Sequence, residues 1–177
     1  RAYIQQLISD GERNTQALKM RLQRWPGSVV DTLTTADADW SAEKIDMQDW
    51  LPIETPLLWE DQGYPGVDGV MWYRKTITLN AEEAASDIEL GLGRIDDNDI
   101  TWVNGHQVGS TQAYDIARVY HVAGEFLKPG ENTIAIRVED TGGGGGIYSD
   151  ENLLYLQTAG GARRSLAGNW SIKADKI

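Results

Sequence analysis

The sequence contains no cysteine, so disulfides and thiolate metal sites are excluded and the redox compartment leaves no trace. Basic residues are scarce: 16 Lys and Arg stand against 27 Asp and Glu, a net charge of −11. That balance argues against a nucleic-acid or anionic-membrane surface, since both call for a basic patch. No apolar run approaches the roughly 20 residues needed to span a bilayer. The first residues, RAYIQQLISDGERN, do not read as a signal peptide, and an Arg at position 1 reads as a processed chain or a piece of a longer one. Phe occurs once, whereas Trp and Tyr each occur seven times. Those two have an apolar body and a polar handle; they stack on sugar rings, and cores use them too.

What is present suits one folded core. The 177 residues are too few for two comfortable domains, and 41% of them are hydrophobic, enough to fold rather than stay disordered. Ile4, Ile8, Leu18, Leu22 and Trp25 mark one face of a helical segment over 1–25, interrupted at Gly11 and ended by Pro26. The rest, 26–177, is expected to form one β domain. DWLPIETPLLWEDQGYPGVDG reads as a long ordered loop fixed by Trp50 and Trp59.

After Gly69 the period changes to two. Met71, Tyr73, Ile77 and Leu79 alternate with Trp72, Arg74, Thr76 and Thr78; Ile88, Leu90 and Leu92 fall together; Ile134, Ile136 and Val138 alternate with Thr133, Ala135, Arg137 and Glu139. Asn104-Gly105 is a type I′ hairpin pair, and LKPGEN is a Pro-Gly turn before a strand. Many strands joined by turn chemistry, with no helices between them, argue an all-β sandwich.

Five consecutive glycines, Gly142 to Gly146, invite a phosphate-loop reading, which fails. Ile147 and Tyr148 stand where a Walker loop needs Lys and Ser or Thr, and LLYLQ follows where a dinucleotide site needs a helix. No cofactor is expected. Asp96, Asp97 and Asp99 in RIDDND pose a choice between a calcium site and turn hydrogen bonds; their spacing matches no calcium loop. His106 follows the hairpin turn and reads as a solvated rim residue; His121, in VYHV, reads as a neutral strand residue.

The run DGVMWYRKTITL, LGLGRIDDNDITWVNGHQVGS, YDIARVYHV and LKPGENTIAIRVEDTGGGGGI, with the later SLAGNWSIK, resembles the sandwich inserted in bacterial sialate O-acetylesterases. The resemblance spans about Trp40 to Lys173. A looser similarity, through WYRK and VNG … PGEN, reaches the sugar-binding-like sandwich of family 2 glycosidases. The first resemblance implies a galactose-binding-like jelly roll attached to an SGNH-type esterase domain of the same polypeptide, and a periplasmic or secreted location. The esterase's GQSN and D-x-x-H blocks do not occur, so the chain is expected to be a non-catalytic accessory domain. The open alternatives are an independent carbohydrate-binding module and a sandwich from a family 2-type glycosidase. Trp59, Trp72, Arg74, Asp97, Tyr114, Arg118 and Gly144 are the candidate sugar or domain-interface contacts, with the glycine loop expected to bring backbone against the esterase domain.

Overall fold

The computed structural model describes residues 40–161 and 163–176. The helical segment expected over 1–25, and its boundary with the β domain, lie outside them.

The alternation seen in the sequence becomes strands β1 (Leu51–Thr55), β2 (Gly69–Leu79), β3 (Ile88–Asp96), β4 (Asn98–Val103), β5 (His106–Gln112) and β6 (Ala117–Val122). These continue as β7 (Gly130–Asp140), β8 (Gly146–Tyr148), β9 (Leu154–Thr158), β10 (Arg164–Ser165) and β11 (Gly168–Lys176). One antiparallel sheet has six strands in the order β1-β11-β2-β7-β4-β5. The facing sheet runs β10-β9-β3-β6, with β8 paired to the end of β3. Among the described residues, helix is limited to short 3-10 turns. The described residues form an all-β jelly-roll sandwich of two antiparallel sheets.

The period of two fixes which side of each strand meets the core. Met71, Tyr73, Ile77 and Leu79 of β2 and Ile134, Ile136 and Val138 of β7 join Ile88, Leu90, Leu92 and Ile95 of β3 between the sheets. Pairing of β2 with β7 sets Tyr73 opposite Ile136 and Met71 opposite Val138, so both strands present aliphatic and aromatic bulk to one side. The loop reading of residues 49–69 missed β1. Pro52 lacks the donor that a central strand needs, but β1 is an edge strand pairing with β11 alone, where proline is tolerated.

Two motifs lock the lower end of the sandwich. Asn104 and Gly105 turn the β4–β5 hairpin with φ of 50° and 84°. Asn104 Nδ2 donates to Phe126 O and to Asn132 Oδ1, both at 2.8 Å, and its Oδ1 accepts from Thr133 N at 2.9 Å. Asn132, from PGEN, is fully buried and in turn bonds the Lys128 carbonyl at 2.8 Å. The two turns therefore brace each other through a satisfied buried pair of amides.

Candidate functional site

The seven residues singled out from the sequence fall in three separate places. Trp72 and Arg74 lie on the outer face of the six-stranded sheet. There Trp72 stacks on Trp102 at 5.2 Å between ring centroids and meets Trp40 edge-on at 6.1 Å; Trp40 meets Trp50 at 5.7 Å. Residues 40–50 form a strap over this face, and Arg74 pins it. Its guanidinium donates to the carbonyls of Trp40, Ala42 and Glu43, the last two at 2.9 and 3.0 Å. Burial holds the Arg74 pKa below the usual guanidinium value. With Trp72 only 2% exposed, its indole has no free face for a sugar ring.

Trp59, Asp97 and Gly144 gather at the opposite end, around the glycine run. Trp59 is wholly buried; its Nε1 donates to Val67 O at 3.1 Å and its backbone N to Gly145 O at 3.0 Å. A Cβ on Gly145 would lie 2.0 Å from the Trp59 ring and 2.8 Å from Asp140 Oδ2. The close approach that the glycines permit is thus to the sandwich's own core tryptophan, correcting the expectation of contact with an esterase domain. Gly142, Gly143 and Gly146 have φ of 142°, 107° and 109°, so the run also supplies backbone that side-chain-bearing residues rarely adopt.

Carboxylates hold that loop by its amides. Asp97 Oδ2 accepts from Thr141 N at 2.9 Å and Thr141 Oγ1 at 2.6 Å; Asp140 Oδ1 accepts from Gly142 N at 2.8 Å; Glu60 Oε2 accepts from Gly145 N at 3.0 Å. The Thr141 hydroxyl keeps the Asp97 carboxyl below its usual range. Desolvation raises Glu60 and Asp140. Asp96 is pushed up to about 7, first by desolvation and then by its hydrogen bond to Asp97 and the charges of Asp97, Asp140 and Glu60. Neighbouring carboxyls with split pKa values look like an acid–base pair. Glycoside hydrolysis, however, needs two carboxyls about 5–10 Å apart across a sugar-sized gap. Asp96 and Asp97 are sequence neighbours whose carboxyls shift each other's pKa, not two groups facing each other across a sugar-sized gap. Among the described residues no group of three or more His, Asp or Glu is placed to hold a metal. Of the acids of RIDDND, Asp97 braces the glycine loop through Thr141 and Asp99 pairs with Arg118.

Arg118 and Tyr114 mark the third place. Arg118, 1% exposed, donates from Nε to Asp99 Oδ1 at 2.8 Å and from Nη2 to Asp97 O at 2.8 Å, and Ile116 O also accepts from it. Tyr120 OH donates to Asp99 Oδ1 and Oδ2 at 3.0 Å each, and Thr101 Oγ1 to Oδ2 at 2.9 Å. This network ties β4 of one sheet to β6 of the other, so Arg118 is a clamp between sheets. Asp99, weighed from the sequence only with Asp96 and Asp97 as a calcium or turn acid, was not among the seven contact candidates; its signal was the inward set Asp99, Thr101, Val103 along β4. Tyr114, by contrast, is 57% exposed beside Ile116 and Val119, at 55% and 51%.

No family model matches the chain. A protein of Formosa agariphila named as a beta-glucuronidase is 29% identical over 114 residues, which are 58% of this chain and 11% of that protein. The sandwich superposes on the beta-glucuronidase of Bacteroides uniformis with a TM-score of 0.55 at 22% identity, covering 77% of this chain and 16% of that one. A family 2 glycosyl hydrolase from Bacteroides cellulosilyticus gives 0.55 at 23%, covering 78% and 19%. The chain therefore spans less than a fifth of the length of these proteins. At such identities the superpositions speak for the fold.

These similarities correct the resemblance to sialate O-acetylesterases, and with it the esterase function and the SGNH-type esterase domain as partner: the similar proteins are beta-glucuronidases and a family 2 hydrolase. The reason is visible in the geometry. WYRK supplies Trp72 and the Arg74 pin, VNG and PGEN the interlocked turns, and IDD and the glycine run the braced loop. Each of those motifs specifies this sandwich, and none of them carries the chemistry of an esterase.

Proposed function

We propose that the chain is the non-catalytic β-sandwich domain of a family 2-type glycosidase acting on β-glucuronides. The alignment of 114 residues with the Formosa agariphila protein carries this reading, because it joins the fold to a sequence likeness at 29% identity. Carboxylates committed to loop amides are consistent with a supporting role. Tyr114, Ile116 and Val119, each more than half exposed in and just before β6, are the side chains assigned to contact with the remainder of the polypeptide.

The test is turnover of 4-nitrophenyl β-D-glucuronide by the whole parent polypeptide and by this chain alone. The parent should hydrolyse it and the 177-residue chain should not. Parent activity confined to acetyl esters or to neutral glycosides would overturn the reading.

A further inference from the structure

β2 and β11 pair from Lys176↔Val70 to Ser171↔Arg74, and then part company. Beyond that point β11 stays with β1 while Lys75–Leu79 of β2 keeps only β7, so the six-stranded sheet opens. Lys75 bridges the opening: its Nζ donates to Asn169 O at 2.7 Å and lies 5.5 Å from the centre of the Trp170 ring. Over this gap the strap leaves a groove of about 990 Å³. That is the size of a ligand site rather than of a packing defect.

The charge of the groove opposes that of the molecule. Lys44, Arg74, Lys75 and Lys128 line it against Glu43 and Glu131, a positive excess in a chain whose net charge is −11. Lys128 is paired with Glu43, and Glu54 lies close enough to offset part of the Lys75 charge. Arg74, by contrast, is bonded to carbonyls, and Lys44 is exposed, within electrostatic reach of Glu43, which also pairs Lys128. Burial lowers the pKa of both Arg74 and Lys75, so their charge is held where water solvates it poorly and an incoming anion would be welcomed. Thr76, Thr133, Asn169 and Ser171 interleave polar side chains among these cations. Such a lining suits a ligand with widely spaced carboxylates and many hydroxyls. A densely charged polyanion would meet the repulsion of the rest of the surface.

We infer that this groove, where β2 and β11 separate beneath the 40–50 strap, is a binding site for a carboxylate-bearing oligosaccharide of uronate type. It concerns the sandwich alone and does not depend on the glycosidase reading, since the groove is formed by this chain's own residues.

Calorimetric titration of the chain with tetragalacturonate tests it, beside the fully methyl-esterified tetramer and a glutamate oligopeptide of equal charge. The acid saccharide should bind, and raising salt should weaken it, as charge-assisted recognition requires. The ester and the peptide should each bind at least about tenfold more weakly, a difference of about 1.4 kcal/mol. Lys44→Gln should cut the affinity severalfold with an unchanged melting temperature, and Lys75→Gln should cut it further. If Lys75→Gln fails to fold, the exposed Lys44→Gln still decides. Equal binding of the ester, equal binding of the glutamate peptide, indifference to Lys44→Gln, or no heat at several millimolar saccharide would each overturn the assignment. Loss of glucuronide turnover by the parent would leave this result untouched, so the two readings fail separately.

Discussion

The two faces of the six-stranded sheet are both covered, by different means. On the inner face, Ile136, Tyr73 and Met71 meet the facing sheet, a layer built from the same period-two strands. On the outer face, Trp72, Val70 and Ala135 meet Trp40, Ile45 and Trp50 from a strap with little regular structure, and Trp102 from β4. The inner face is held by shape and area. The outer one adds directional contacts: stacked and edge-on indoles, the Lys173 ammonium 4.8 Å from the centre of the Trp40 ring, and the Arg74 pin. A strand whose residues 70–74 are all buried thus belongs to two cores at once. Alternation tells which side a residue takes, and has nothing to say about what waits there.

The largest effects should come from emptying either core. Trp72→Ala should destabilise by about 3–5 kcal/mol and Ile136→Ala by about 2–5 kcal/mol in denaturant unfolding. A cost below about 0.5 kcal/mol for Trp72→Ala, the usual size for surface changes, would break the equivalence of the two faces. Arg137, outward on β7 but largely covered and paired only loosely with Glu139 at 3.7 Å, is the comparison on the same strand; Arg137→Ala should cost less than Ile136→Ala.

Next come the devices that close each face. Gly145→Val would drive a side chain into Trp59 of the inner core and should cost about 1–3 kcal/mol or more, as overpacking does. Gly144, whose nearest neighbour to an added Cβ is the end of the Leu58 side chain at 3.1 Å, should accept Ala with a change of well under about 1 kcal/mol. Equal losses at the two glycines would show that the loop does not lean on Trp59 in the way described. On the outer face, Arg74→Met keeps the stem and removes the donors to the strap carbonyls, at about 1–3 kcal/mol. Hydrogen exchange should then quicken in residues 40–50 before it does in β7. Uniform quickening would mean that the strap and sheet open as one unit.

The smallest effect is a slope with pH. The folded pKa of Asp96, about 7, lies above its ordinary value of 3.8, so the folded state binds the proton more tightly than the unfolded one. Stability from this group is complete below the unfolded value and is lost as pH rises toward and through 7. Thermal melts should therefore fall between pH 5 and pH 8, by an amount that Asp96→Asn flattens. Asp97, held low by Thr141, has the opposite sign: its contribution is present above the usual carboxylate range and is lost on acidification. A slope unchanged in Asp96→Asn would assign the titration to another group.

How much of this was legible depends on how far apart the partners lie. Alternation in β2, β3 and β7 is a local property, and Asn104-Gly105 declares its turn within two residues, so the sandwich could be read directly. The site residues could not. Trp59 and Trp72 looked like sugar platforms because an indole's chemistry is the same buried or exposed, and only packing closes its face. Arg118 looked free until the sheets brought Asp99, nineteen positions away, to 2.8 Å. The groove of Lys44, Arg74, Lys75 and Lys128 draws on segments far apart in sequence, and the acidic composition concealed it altogether.

By itself, the sequence determined the strand period, the hairpin and Pro-Gly turns and the all-β class of the described residues, because each follows from the stereochemistry of adjacent residues. Tertiary structure alone decided which tryptophans are covered, which carboxylate meets Arg118, where Gly145 finds Trp59 and where β2 parts from β11. Those depend on segments meeting across the fold, and burial, ion pairing and local charge exist only once they have met.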